Sequence, residues 1–173
     1  MIIKLISSIA IIVCCSFLGF HMSYRYTQRI NNIRDLRNAL SYLETEIVHY
    51  STLLVHAIKN SSISVMGDWK PFFHEIAELL EGRVECSLAE VWQQSLKALE
   101  HNPYIDKAEY EIMQRFGLQL GNSDKSSQEK YFQLAQEQLK AEEKSAREAR
   151  VKYSRMYYNL GIIVGLGIAI ILF

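Results

Sequence analysis

The chain has 173 residues, with 19 basic and 19 acidic side chains and a formal charge of zero. That balance excludes a nucleic-acid partner recognised by charge, because phosphate backbones demand a basic face. The three cysteines, Cys14, Cys15 and Cys86, cannot build the disulfide framework of a small secreted domain.

Residues 2–20, IIKLISSIAIIVCCSFLGF, are apolar or small apart from Lys4, and residues 156–173, MYYNLGIIVGLGIAIILF, carry no charged side chain. A membrane-crossing helix needs roughly 20 residues, with about 17 as the lower limit, so each end is long enough by this count. The stretch CCSFLGFHMS offers no small-x-small cleavage site, which favours an uncleaved anchor over a removed signal. Arg25, Arg29, Arg34 and Arg37 follow the first segment, and Arg147, Arg150, Lys152 and Arg155 precede the last. Basic flanks face the cytoplasm. The expectation is therefore a two-span, multi-pass membrane protein with transmembrane helices at 1–24 and 156–173 and a cytoplasmic domain at 25–155. Its basic clusters would lie against membrane lipid. Gly161, Gly165 and Ala169 recur at four-residue steps, a small-residue face that lets helices pack closely in lipid, although glycine is also simply common in such helices.

Between the ends the periodicity is helical throughout. Leu36, Leu40, Leu43, Ile47, Tyr50 and Leu54 step by three and four residues, as do Phe132, Ala135, Leu139, Ala146, Ala149, Tyr153, Met156 and Leu160, with Glu142 breaking the series once. Sustained heptads make a narrow seam that needs a partner helix. The two seams run into opposite ends of the chain, so the sequence predicts a long antiparallel helix pair, with shorter helices packed along or above it. Trp69, Phe72, Phe73, Ile76, Leu79 and Leu80 mark one of these, stopped near Gly82. Capping boxes at Ser87 with Glu90, Asp106 with Glu109, and Ser126 with Glu129 start the others. No strand pattern appears. The predicted fold class is all-α, a helical bundle.

The stretch RFGLQLGNSDKSSQEK, residues 115–130, interrupts the helices and is the best candidate for a binding loop. Gly117 costs a helix interior about 1 kcal/mol relative to alanine, so it either allows close packing or begins the end of its helix. Gly121 suits a left-handed cap, and Asn122, Ser123 and Asp124 can bond local backbone groups. The loop lacks the lysine and hydroxyl of a phosphate-binding motif, and no strand precedes it. His49 and His56 lie two turns apart, about 10 Å, too far for a two-ligand metal clasp. The carboxylates, Glu142 and Glu143 among them, read as a wet helical surface. No catalytic residue, cofactor site or metal site is expected.

Four blocks in order, GFHMSYRYTQR, RDLRNALSYLETEI, YEIMQRFGLQLGNSD and LGIIVGLGIAIILF, resemble the stage III sporulation protein AB family across essentially the whole chain. One departure is local: the family often shows a Thr-Pro-Leu turn where this chain reads Thr52, Leu53, Leu54. The resemblance implies a component of the complex joining mother cell and forespore, in the mother-cell membrane, with a soluble domain similar to the cytoplasmic domain of type II secretion and type IV pilus platform F proteins. It implies a non-enzymatic scaffold docking a secretion-type ATPase of the stage III sporulation protein AA type, together with other channel proteins of the set. Loops on a rigid scaffold commonly carry binding, which makes Gly117, Gly121, Asn122 and Asp124 the candidate partner surface. The alternative is a membrane-tethered adaptor that forms a homo-oligomer through its heptads.

Overall fold

The computed structural model of the chain describes residues 2–82, 87–120 and 125–172, and every helix and turn in them is accounted for without a strand. Among the described residues seven α-helices follow in order: α1 (Ile2–Glu44), α2 (Leu54–Ser64), α3 (Lys70–Glu81), α4 (Leu88–Lys97), α5 (Lys107–Gln119), α6 (Lys125–Ala149) and α7 (Arg155–Leu172). The chain divides into two units. One comprises Met1–Gln28 with Ser145–Phe173, and the other comprises Arg29–Lys144.

In the first unit the Tyr26 ring stacks on Tyr153 at 5.8 Å and on Tyr157 at 6.1 Å, while Val13, Phe17, Phe20, Ile163 and Ile170 are exposed. The expected membrane placement requires correction here. Among the described residues, no helix is long and apolar enough to cross a membrane. Polar residues shorten both apolar stretches. Residues 5–20, between Lys4 and His21, supply about 24 Å of helix, and residues 160–172, beyond Asn159, about 20 Å, against a hydrocarbon core of about 30 Å. The transmembrane helices at 1–24 and 156–173, and the two-span location built on them, are overturned by this finding.

The second unit is a helical bundle whose α1 and α6 segments run antiparallel. Arg29 meets Glu142, Arg37 meets Gln136, and Gln136 donates back to the Arg37 carbonyl at 2.8 Å, so rising numbers on one helix face falling numbers on the other. Leu36, Leu40 and Leu43 from α1 are fully buried, as are Phe132 and Leu139 from α6. This part of the heptad seam is filled within one chain, which leaves it unavailable to a second copy.

The first seam stops earlier than its spacing suggests. Ile47 is buried, but Tyr50 is 71% exposed. Thr45 donates its hydroxyl to the Ser41 carbonyl at 2.9 Å, a back-bond that loosens a helix, and the β-branched Thr45, Ile47 and Val48 disfavour a tight turn. The helix widens into a π-turn at Thr45–His49 and breaks at Ser51, whose φ of 54° is left-handed. Leu53 then starts α2 with φ −56° and ψ 134°. Those are angles that proline also adopts, so the chain turns here without one. Leu53 is 72% exposed, and no backbone bond from its N–H is seen among the described residues. Leu53→Pro should therefore raise stability by about 0.4–1 kcal/mol, by restricting the unfolded chain. Thermal unfolding of the variant beside the parent checks this; a loss of stability would mean that Thr52 or Leu53 cannot hold the proline geometry.

α2 packs on α3, α3 on α4 and α4 on α5. Local signals start these helices. Pro71 sits in the first turn of α3, where its missing N–H is harmless. Ser87 N–H donates to Glu90 Oε2 at 2.8 Å while Glu90 N–H donates to Ser87 Oγ at 3.3 Å, a reciprocal box. Asp106 N–H donates to Glu109 Oε2 at 2.7 Å at the start of α5. The predicted box at Ser126 with Glu129 involves a side chain outside the described residues. Across the core runs a chain of ring contacts: Trp69 to Phe72 at 5.8 Å, Phe72 to Trp92 at 5.0 Å, Trp92 to Phe116 at 5.6 Å, and Phe116 to Phe132 at 5.0 Å. Their edge-on and tilted geometries suit aromatic quadrupoles and link α3, α4, α5 and α6.

Candidate functional site

The chemistry of the second unit is concentrated on one polar side of α1. Arg29 projects between α5 and α6 and gathers three carboxylates. Its Nε and Nη2 donate to Glu109 Oε1 at 3.0 and 2.8 Å, Nη1 pairs with Asp106 Oδ2 at 2.8 Å, and Nη2 also reaches Glu142 Oε2 at 3.1 Å. Glu109 is almost completely buried and Arg29 mostly so. Burial alone would lower the Arg29 pKa, but the charges of Glu109, Asp106 and Glu142 outweigh it and hold the guanidinium above its ordinary value. Burial raises the Glu109 carboxyl above the ordinary carboxylate value, and the neighbouring Arg29 charge only partly opposes this. The fork of Arg29 thus fastens three helices at one point.

Two turns further along α1, Arg34 and Arg37 share one buried carboxylate. Arg34 Nε is 2.7 Å from Glu143 Oε1, and Arg37 Nη1 is 2.7 Å from Glu143 Oε2. On another side Asn32 donates to Asp68 Oδ2 at 2.6 Å and to the Tyr104 carbonyl at 3.2 Å, tying α1 to the turns before α3 and α5. Gly67 fits there because its φ is 67° and a Cβ would press against Asp35 Oδ2 and Asn32 Oδ1. Burial, and then repulsion by Asp68, raises the Asp35 carboxyl.

The predicted partner surface is only partly described. Gly117 lies inside α5, buried, and an added Cβ would overlap the Trp92 indole at Cδ1, Nε1 and Cγ. Its role is close packing. Leu118 beside it is exposed. Gly121, Asn122 and Asp124 lie outside the described residues. Gly161, Gly165 and Ala169 fall on α7, with their side chains likewise outside the described set. Among the described residues no group of histidine, cysteine and carboxylate side chains could hold a metal ion.

Several structural charges were hidden in the sequence. Glu143 is buried rather than wet, Glu109 is buried while also capping α5, and Arg29, Arg34 and Arg37 pair with these two carboxylates. The usable signal was the acidic break in the second heptad. In an antiparallel pair, an acidic pair at 142 and 143 on one helix falls opposite arginines near 29–37 on the other.

The stage III sporulation protein AB family model matches residues 4–173 of this chain. A curated relative, stage III sporulation protein AB of Bacillus subtilis (strain 168), is 34% identical over 170 residues, covering 98% of this chain and 99% of the relative. A solved structure of stage III sporulation protein AB is 33% identical and aligns with a TM-score of 0.66, over 72% of this chain and 98% of that one. These relatives are named as sporulation proteins and not as enzymes. With the family model matched from residue 4 to residue 173 and the curated relative aligned almost end to end, this chain belongs to the stage III sporulation protein AB family.

Proposed function

We propose that the chain is a non-enzymatic scaffold of the stage III sporulation complex, docking a secretion-type motor ATPase of the same complex through residues 117–124, at and after the end of α5. The observation that supports this is the use made of buried charge. Arg29, Glu109 and Glu143 bind one helix to another, with distances of 2.7–3.1 Å, and are consumed in doing so. Buried carboxylates in catalytic work need a cleft and separated pKa values. Charges locked into cross-helix forks make a stiff frame on which surface turns can be presented.

The test is binding of the purified ATPase to the full chain and to an Asn122→Ala, Asp124→Ala double variant, followed by calorimetry or by surface capture of the ATPase. Docking through this turn should weaken by roughly tenfold or more, the effect of losing about 1.4 kcal/mol of contact. Unchanged affinity would remove this surface, and absence of any binding would remove the ATPase reading.

A further inference from the structure

A polar groove of about 340 Å³ lies along the α1–α6 pair, lined by Arg34, Arg37, Asn38, Ser41, Glu44 and Gln136. Its two arginines are held from behind. Glu143, with a side chain only 6% exposed, takes Arg34 through Nε and Arg37 through Nη1, each at 2.7 Å. Gln136 Oε1 faces Arg37 Nε at 3.4 Å, and the Gln136 amide is itself anchored on the Arg37 carbonyl at 2.8 Å. A guanidinium carries five N–H donors in a rigid fork. These bonds use Nε of Arg34, and Nε and Nη1 of Arg37. Among the described residues, both Nη groups of Arg34 and the Nη2 group of Arg37 have no hydrogen-bond partner. The two side chains remain 47% and 31% exposed, so the unused donors are open to solvent.

Charge narrows the ligand. One carboxylate cannot neutralise two guanidinium groups, so the arginine end of the groove keeps one positive charge locally, with the Glu44 carboxylate at the far end of the lining. Glu44 closes the lining two turns from Arg37, about 10 Å along the helix, and repels a multiply charged anion. A doubly charged phosphate would exceed the single open positive charge, whereas one carboxylate matches it. The groove is already organised, because Glu143 and Gln136 fix the forks before any ligand arrives, and this removes an ordering cost from binding.

We propose that this groove receives the carboxylate of an aspartate or glutamate side chain on a protein partner. The partner class rests on the docking function above, while the carboxylate chemistry rests on the arginine geometry and the charge of the groove.

The full chain, carrying ¹³C at the arginine Cζ positions, is titrated with sodium acetate, with N-acetylglutamate amide and with sodium phosphate, each at constant ionic strength set by sodium chloride. Arg34 and Arg37 resonances should move saturably with both carboxylates, with a dissociation constant on the order of millimolar. Phosphate should bind more weakly. Ser41→Glu places a tethered carboxylate on the exposed groove wall, away from the core, and should abolish the acetate response. Arg34→Lys keeps a cation beside Glu143 while losing the fork, and should weaken acetate binding at least about fivefold, corresponding to about 1 kcal/mol. Acetate shifts no larger than those from chloride, tighter binding of phosphate, or a full response in Ser41→Glu would each overturn the site. Acetate binding without any ATPase binding would instead overturn the docking reading and leave the carboxylate site standing.

Discussion

Gly117→Ala is expected to destabilise the Arg29–Lys144 unit by about 3 kcal/mol or more, although alanine is the better helix former by about 1 kcal/mol. The reason is what the new methyl would meet. Its place is occupied by the five-membered ring of Trp92, a rigid group that is fully buried. The indole cannot swing aside cheaply. Its Nε1 donates to the Met113 carbonyl at 2.8 Å, and its ring meets Phe72 at 5.0 Å, Phe116 at 5.6 Å and Phe73 at 6.3 Å. The methyl must therefore separate α4 from α5 or break that hydrogen bond. A double-mutant cycle isolates the contact: Trp92→Ala removes all three atoms in conflict, so Gly117→Ala should cost at least about 1 kcal/mol less in that background. Urea unfolding of the four proteins supplies the comparison. An alanine variant as stable as the parent would show that the helices do not approach this closely.

Arg29→Met should cost about 3–5 kcal/mol at neutral pH, the range seen when one member of a buried ion pair is removed. Most of that cost arises from what remains, because Glu109 would be left charged and 1% exposed. Asp106 is more than half exposed and Glu142 nearly a third, so solvent screens them and they add little. The penalty should also depend on pH in a definite direction. Burial raises the Glu109 carboxyl in the folded state. A group whose folded pKa exceeds its unfolded pKa favours the fold most at low pH, and that support fades as pH rises through the folded value. Removing Arg29 raises the carboxyl further. The difference between Arg29→Met and its parent should shrink as the solution is acidified through that raised pKa, and Glu109→Gln should recover much of the loss at neutral pH. A penalty constant from neutral to acid conditions would show that packing of the arginine stem, rather than its charge, supplies the effect.

These cases also separate what the sequence discloses from what only the fold reveals. Leu36, Leu40, Leu43, Phe132 and Leu139 were legible because apolar spacing records which face of a helix is dry. The capping of α4 was equally legible, since Ser87 and Glu90 interact over three residues. The break at Ser51 was not, because it depends on a hydroxyl back-bond and a left-handed backbone angle that carry no apolar signature. Glu109 and Glu143 escaped for a different reason. Their partners lie 80 and more than 100 residues away in the chain, and a carboxylate looks solvated until its arginine is located. The glycine at 117 announced close packing or a helix end, and only Trp92 decides between the two. The terminal segments misled because length was counted across Lys4 and Asn159, which interrupt the apolar runs.

Both tryptophans of the chain are fully enclosed, and Trp92 touches the very helix that carries Leu118 toward the proposed docking turn. The molecule therefore contains a native optical gauge at that spot. Any event that shifts α5 against α4 alters the dielectric and quenching around the Trp92 indole, and its emission would report the event in an unlabelled protein.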